Sequence, residues 1–371
     1  MNPSSRNAWL DVLRAMAIVL VINCHTASTH AHQFGPTTWT RVWGIGGHGV
    51  DLFFVLSGWL LGNLLFRELK RTGRVQLTRF WGRRWLRTLP AYYTVLVLTL
   101  AQAIWQGRFE WRQMSFFVFF QTYIFESQPF FGVSWSLCVE EHFYLIIAPL
   151  ILVIGKRRHL GLAFFFLMLG IPVLLRVYGL YEHRNQTHVR LDQCASGVAL
   201  AYFFVFYPVA WGRLKQSLPV LALIALALAT GLVLNRVGVI SMPERLAYFT
   251  FISMVLVLFS EYGRWWQSRA HHPLILYLAT RSYSLYLVHI EAISLVDKIH
   301  IENALARCAV IWFFSLLCAE LLYRLIERPG MELRGKMSTL RSEHAPVPKQ
   351  PIEHESHGNV SANLIETTRS R

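Results

Sequence analysis

Charged residues are scarce in this chain, and acidic residues are the scarcest. Asp, Glu, Lys and Arg together make up 15% of the 371 residues, whereas a soluble protein carries about a quarter. The chain also lacks the polar composition of a disordered protein, because 54% of its residues are hydrophobic. These two shortages exclude a protein of one or two water-soluble domains and indicate a polytopic membrane protein.

Cysteine is equally sparse. The chain has five cysteines, an odd number, and none forms a CxxC pair. We therefore expect neither a disulfide framework nor a zinc site. His25, His48 and His289 could be drawn as metal ligands, but they lie in three separate apolar runs without the ligand spacing of a metal site. The sequence thus predicts a protein without a metal. The cysteines, all in or beside apolar runs, are Cys24, Cys138, Cys194, Cys308 and Cys318.

Long apolar runs are the main feature of the sequence. A membrane-spanning helix takes about 20 mostly apolar residues, and ten runs qualify. They lie at 8–28, 46–66, 88–106, 138–155, 160–178, 191–210, 217–235, 245–262, 273–296 and 304–325. The apolar stretch 114–125 is short, and we expect it to be re-entrant or interfacial. The prediction is an all-α membrane domain over residues 1–334, followed by a polar, disordered cytoplasmic tail over residues 335–371.

The excess of basic residues indicates topology before it indicates a ligand. Lys and Arg number 36 against 21 Asp and Glu, a formal charge of +15. Long apolar runs separate these basic residues, which argues against a nucleic-acid partner. An even number of spans places both termini on one side of the membrane. With the termini inside, most Lys and Arg fall in the inner loops and tails, which predicts cytoplasmic termini.

The first apolar run carries Arg14 and His25. Eleven residues at 100° per residue amount to three turns and about 20°, so both side chains share one helix face, about 16 Å apart along the axis. Ionisable residues at membrane depth are costly and usually mark function. The alternative is that Arg14 snorkels to the inner surface and His25 caps the outer helix end.

The second run begins with His48 and Asp51, and the predicted topology places both at its outer end. An acid there would orient or stabilise a charged His25. The alternative is an ordinary acid at a helix N-terminus. For Ser57 and Gly58, farther along the run, the residues alone favour close helix packing.

A basic segment, with Arg84 and Arg87 three residues apart, separates the second and third runs. On a helix these two arginines occupy neighbouring positions, and paired guanidinium groups suit phosphate. A positive-inside loop or a contact with anionic lipid is the alternative, and the residues alone favour it.

The fourth and ninth runs carry further ionisable residues. Glu140 and Glu141 are adjacent, so at most one of them points into a common site. A buried glutamate needs an Arg or His partner, and an interfacial acid is the alternative. His289 falls in the outer half of its run, where a lone histidine is more often a packing residue. Asp192 is explained equally well as a plain helix-start acid.

The predicted positions form a pattern across the membrane. Titratable groups lie toward the outside, and arginines lie toward the cytoplasm. This arrangement suits a reaction with an inside donor and an outside acceptor. The outer group is His25, His48, Asp51, Glu140 and His289, and the inner group is Arg14, Arg84 and Arg87.

Several of these segments together resemble the integral-membrane acyltransferase family 3, which includes bacterial O-acetyltransferases of surface polysaccharides and lipopolysaccharide. The resemblance covers about residues 6–330, without the esterase-like domain that many members add. His48 does not fit the family pattern. The matching segments are Arg14 with His25, Gly49 to Gly58, Arg84 to Arg87 with Pro90, Ser134 to Leu137 with Glu140, Tyr283 to His289, and Glu327 to Pro329.

The resemblance implies acyl transfer from coenzyme A, usually of an acetyl group, to a hydroxyl of an extracytoplasmic carbohydrate or glycoconjugate. It places the protein in a bacterial inner (plasma) membrane, in contact with lipid. A transporter or flippase of a lipid-linked glycan is the alternative, and the oligomeric state stays open.

The resemblance also implies residue roles. Arg84 and Arg87 would hold the donor phosphates, with help from Arg14. His25 would be the general base or would carry the acyl group, oriented by Asp51 or Glu140. Four further residues would contact the substrate or support the site: Ser57, Trp135, Ser136 and His289.

Overall fold

A computed structural model describes residues 7–156, 158–242, 245–262 and 272–342. Most of these residues are helical, and no strand occurs within them. The α-helices in chain order are α1 (Ala8–Phe34), α2 (Thr38–Trp43), α3 (Gly49–Thr72), α4 (Leu77–Trp105), α5 (Ser134–Lys156), α6 (Arg158–Val177), α7 (Thr187–Phe206), α8 (Pro208–Gln216), α9 (Leu218–Arg236), α10 (Arg245–Leu258), α11 (Pro273–Val296), α12 (Ala304–Leu322) and α13 (Arg328–Ser342).

Eight helical stretches in the described ranges are long and apolar enough to cross a membrane. They coincide with eight of the ten predicted spans, which confirms an all-α polytopic membrane protein. The two other spans stay predictions. α10 has only 14 residues, and α11, which carries Arg281 and Glu291, is not among the eight. The side of the membrane on which the termini lie also stays a prediction.

The short apolar stretch 114–125 is not a spanning helix. It forms two 3-10 segments, Trp111–Val118 and Gln121–Tyr123. Two tyrosines of α4 hold it, since Tyr92 donates to the Phe116 carbonyl at 2.8 Å and Tyr93 to the Phe117 carbonyl at 3.0 Å. Its backbone therefore packs against the helix that carries the basic segment.

Glycines bring α3 and α7 into direct backbone contact. A Cβ atom at Gly58 would lie 2.0 Å from the Cys194 carbonyl oxygen, and one at Gly197 would lie 2.1 Å from the Val55 carbonyl oxygen. Small residues allow such close approach between membrane helices. The packing role predicted for Gly58 therefore holds, and the contact fixes which face of α3 turns away from α7.

Two buried arginines of the described helices form ion pairs. Arg176 near the end of α6 donates to both carboxylate oxygens of Asp192 on α7, at 3.0 and 2.8 Å. Asp192 is thus an ion-pair partner rather than a plain helix-start acid. Arg307 forms an ion pair with one carboxylate oxygen of Asp297 and also donates to Gln33 at 2.5 Å. Such pairing is expected because an unpartnered charge is costly in the interior.

The chain divides into two compact units, Met1–Arg334 and Gly335–Arg371. The predicted disordered tail falls mostly on residues 343–371, which lie outside the described residues. The candidate site belongs entirely to the first unit.

Candidate active site

A cavity of about 330 Å³ lies beside α3. Its walls come from α1, α3, α4, α5 and α11, together with Arg334. Along α3 the lining runs from Val50 to Leu64, which at 1.5 Å per residue is a length of about 21 Å. The cavity is therefore elongated, and its α3 wall is mostly apolar: Val50, Phe53, Phe54, Leu56, Leu60, Leu61 and Leu64.

Five arginines line this cavity. Three of them, Arg14, Arg84 and Arg87, are the arginines that the sequence singles out, and the other two are Arg83 and Arg334. Among the lining residues in the described part of the chain, Glu140 is the sole acid. This excess of positive charge suits a phosphorylated ligand.

Arg84 and Arg87 lie inside α4, which begins at Leu77, and not in a loop. The loop interpretation of these arginines is therefore wrong. Arg83 had a sequence signal, its position beside Arg84 in the basic run, whereas no local pattern pointed to Arg334.

The Arg84 guanidinium is held by fixed partners. Its Nη2 donates to Glu140 Oε2 at 3.3 Å and also to the Tyr144 hydroxyl, and it lies 3.5 Å from Ser57 Oγ. Ser57 Oγ is in turn 2.5 Å from the Tyr144 hydroxyl. Ser57 thus lines the cavity and does not serve only as a packing residue. Sequence analysis missed Tyr144, which completes this cluster from α5.

The adjacent glutamates separate as their spacing requires. Glu140 faces the cavity, whereas Glu141 accepts a hydrogen bond from Trp85 Nε1 at 3.0 Å and another from Thr88 Oγ1 at 3.4 Å. Glu141 therefore holds α4 and α5 together.

His25 contacts His289. His25 lies well inside α1, which ends at Phe34, so the helix-cap alternative is wrong. Its Nδ1 is 2.9 Å from the Val21 carbonyl oxygen and 3.3 Å from His289 Nε2. His289 Nδ1 is 2.8 Å from the Tyr286 carbonyl oxygen. A carbonyl only accepts, so these contacts assign the proton of each neutral ring to Nδ1.

This assignment leaves a lone pair on Nε2 of both rings. The lone pair of His289 faces His25, and His25 Nε2 has no hydrogen-bond partner among the described residues. His25 is partly exposed, while His289 is fully buried. The accessible nitrogen of the pair is therefore an unprotonated base.

The structure contradicts the expectation that Asp51 or Glu140 orients His25. Asp51 Oδ2 lies 2.5 Å from His48 Nδ1, and Asp51 Oδ1 lies 3.5 Å from Arg190 Nη1 on α7. The reason is that Asp51 is about 100° around α3 from Val50 and so faces α7 rather than the cavity. Glu140 is bound to Arg84. Among the described hydrogen bonds, His289 fills the expected place of the acid.

Ser136 and Tyr286 close the cavity near the histidines. Their hydroxyl oxygens lie 2.6 Å apart, and both residues line the cavity. The Tyr286 ring is 5.7 Å from the His289 ring, yet neither His25 nor His289 is a lining residue. The two histidines therefore lie just behind the wall that Tyr286 forms.

The last two predictions for the site concern Trp135 and a metal ion. Trp135 is not a lining residue, because its ring packs under the Arg190 guanidinium at 4.8 Å and against Phe54. Within the described ranges, no group of three His, Cys, Asp or Glu side chains is placed to hold a metal ion.

Comparison with known proteins adds a second line of observation. Residues 7–323 match the model of acyltransferase family 3, which is described as an acyltransferase domain. A protein of Staphylococcus aureus strain MRSA252, provisionally named an O-acetyltransferase, is 28% identical over 91% of this chain and 59% of its own length.

Two named relatives are similarly distant. Peptidoglycan O-acetyltransferase OatA of Listeria monocytogenes is 27% identical over 86% of this chain and 55% of its own length. O-acetyltransferase OatA of Staphylococcus aureus strain NCTC 8325 is 25% identical over 86% of this chain and 56% of its own length. This chain thus spans little more than half the length of these relatives. No solved structure gives a significant match.

Proposed function

This chain belongs to acyltransferase family 3, and from that premise we propose that it moves an acyl group, acetyl in the first instance, from cytoplasmic acyl-coenzyme A to a hydroxyl of an extracytoplasmic carbohydrate or glycoconjugate. One observation carries the proposal. An arginine-lined cavity about 21 Å long is closed by Tyr286, whose ring contacts His289, the hydrogen-bond partner of His25.

The arginines bind the donor. Arg87 and Arg83 meet the phosphates of coenzyme A, and Arg84 completes the site from its cluster with Ser57 and Tyr144. The apolar wall of α3 holds the long pantetheine arm, which points the thioester toward Tyr286. Charge-assisted hydrogen bonds to phosphate are the strongest contacts available here.

His25 activates the acceptor. Its Nε2 takes the proton of the acceptor hydroxyl as the hydroxyl oxygen attacks the thioester carbonyl. The carbon–sulfur bond then breaks, and the same proton passes to the departing thiolate. A second route, in which Nε2 takes the acyl group before the acceptor does, uses the same lone pair. A burst of thiol release in the first turnover distinguishes the second route.

The family and the charge pattern support the proposed acceptor and location. A named relative acts on peptidoglycan, so a peptidoglycan-type sugar is the first acceptor to test, and lipopolysaccharide is the second. The proposed location is a bacterial inner membrane with both termini in the cytoplasm.

Purified protein in detergent tests the proposal. Acetyl-coenzyme A binding and thiol release are measured for wild type, Arg84→Ala/Arg87→Ala and His25→Ala. Arg79→Ala serves as the matched control, because Arg79 is an exposed arginine of α4 outside the cavity. We expect the double variant to lose binding, His25→Ala to bind without turnover, and the control to behave as wild type.

Two outcomes contradict the proposal. Full turnover by a folded His25→Ala protein ends the assignment of the base. Absence of coenzyme A binding in every variant, wild type included, removes the donor site and favours a transporter or flippase of a lipid-linked glycan.

A further inference from the structure

We propose that His289 is the positioning residue of the base: as a neutral imidazole, it accepts from His25 Nδ1 alongside the Val21 carbonyl and holds the His25 ring in one orientation, a task that a carboxylate performs in a catalytic triad. This inference rests on the proposed function, because it assigns a partner to the His25 base.

The hydrogen bonds of His289 decide which of its two nitrogens carries the proton. His289 Nδ1 donates to the Tyr286 carbonyl at 2.8 Å, three residues earlier on α11. This bond leaves His289 Nε2 as an acceptor only. The atom facing it at 3.3 Å is His25 Nδ1. A donor–acceptor pair forms only if His25 carries its proton on Nδ1, which leaves His25 Nε2 free to act as the base.

The contact joins distant parts of the chain through a fully buried ring. His25 and His289 are 264 positions apart in the chain, and they join α1 to α11. His289 is fully buried, and its ring also contacts the Tyr286 ring at a centroid distance of 5.7 Å. A ring fixed in this way holds its partner in one orientation, whereas a mobile side chain would not.

Packing alone does not account for a histidine here. The surroundings of His289 on α11 are apolar side chains such as Leu285 and Val288, and a phenylalanine would fill similar space. Without His25 the buried Nε2 atom would have no partner, which is costly. The role of the second nitrogen of His289, Nε2, is therefore to bind His25.

The protons balance in the proposed acyl transfer. The acceptor hydroxyl gives its proton to His25 Nε2, and the positive charge spreads over the ring. The Nδ1 hydrogen of this imidazolium stays shared between the Val21 carbonyl and His289 Nε2. When the carbon–sulfur bond breaks, the Nε2 proton goes to the thiolate, and both rings return to their starting tautomers.

A pair of amide substitutions separates positioning from packing. In His289→Gln the side-chain oxygen reaches the place of Nε2 and accepts from His25. In His289→Asn the shorter amide reaches only the place of Nδ1. We expect His289→Gln to keep kcat within about threefold of wild type and His289→Asn to lose about 100-fold, the usual scale of general-base catalysis. KM for acetyl-coenzyme A stays unchanged in both.

The assay is thiol release from acetyl-coenzyme A with N-acetylglucosamine oligomers as acceptor. His32→Gln is the control, since His32 is an exposed histidine of the same helix as His25. Equal kcat values for the Gln and Asn variants overturn the inference. If His25→Ala is inactive while these two variants are equal, this inference alone fails. If His25→Ala is active, the proposed function fails.

Histidine-selective ¹⁵N NMR of the wild-type protein gives a test that needs no His289 variant. We expect both rings in the Nδ1-protonated tautomer, which is the less common one for a free imidazole. Protonation of either ring on Nε2 overturns the inference.

Discussion

At the scale of single residues, Arg84 differs from the other arginines of the cavity. Its guanidinium lies over the Tyr144 ring, 4.2 Å from the ring centre, and it donates to the hydroxyl of that ring and to Glu140. A pre-positioned cation loses little freedom when a ligand binds, which raises affinity. Under the proposed function, the Tyr144 hydroxyl therefore contributes to donor binding without being a lining residue.

Substitution of Tyr144 by Phe measures this contribution. The change removes one hydrogen bond to Arg84, worth about 1 kcal/mol, so we expect KM for acetyl-coenzyme A to rise about fivefold with kcat little changed. Tyr178→Phe is the control, because Tyr178 is exposed. A fall in kcat with an unchanged KM would instead place the Tyr144 hydroxyl at the reacting atoms.

Single residues also show what the sequence can predict. Arg14, Arg84 and Arg87 were predicted as one set, because the charge pattern of the loops places all three toward the cytoplasm. The partners of Asp51 and His25 were not predicted. They depend on which helix packs against which face, and residues 264 positions apart leave no local pattern.

At the scale of elements, the contact between α3 and α7 orients the cavity wall. Gly58 and Gly197 let the two backbones touch, so the opposite face of α3, from Val50 to Leu64, is left to line the cavity. A sequence shows the small residues but not the helix that they pack against. The predicted direction of the Asp51 side chain was therefore wrong, whereas the predicted membrane span was correct.

Gly58→Ala tests the contact. Its added methyl group would meet the Cys194 carbonyl at 2.0 Å, and overpacking of this kind costs about 1–3 kcal/mol. We expect a lower melting temperature in detergent. Gly170→Ala on α6 is the matched control, because a Cβ there meets nothing within 4 Å and the change should leave the melting temperature equal or higher. Equal melting temperatures for both variants would contradict the close contact.

At the scale of the whole molecule, paired charges tie distant helices together. The composition predicted a polytopic helical protein correctly, because apolar runs of membrane length have few other uses. It did not predict which buried charges pair. Arg176 and Asp192, both almost fully buried, form one such pair between α6 and α7.

Asp192→Leu should destabilise the protein by about 3–5 kcal/mol, because it strands the Arg176 charge. The double variant Arg176→Leu/Asp192→Leu removes both charges and should recover most of this loss. Urea or thermal unfolding in detergent measures the difference. Recovery in the double variant is the critical result, and a further loss there would mean that the two residues act separately.

The Arg176–Asp192 pair also has a consequence for how the chain enters the membrane during synthesis. α6 is the most apolar of the eight spanning stretches, and α7 is the least apolar. A lone charge in lipid is costly, so Arg176, made first, lacks its counter-ion until the ribosome has delivered Asp192. The two helices are therefore suited to leave the insertion machinery together, as a hairpin, with the more apolar helix carrying the other into the bilayer.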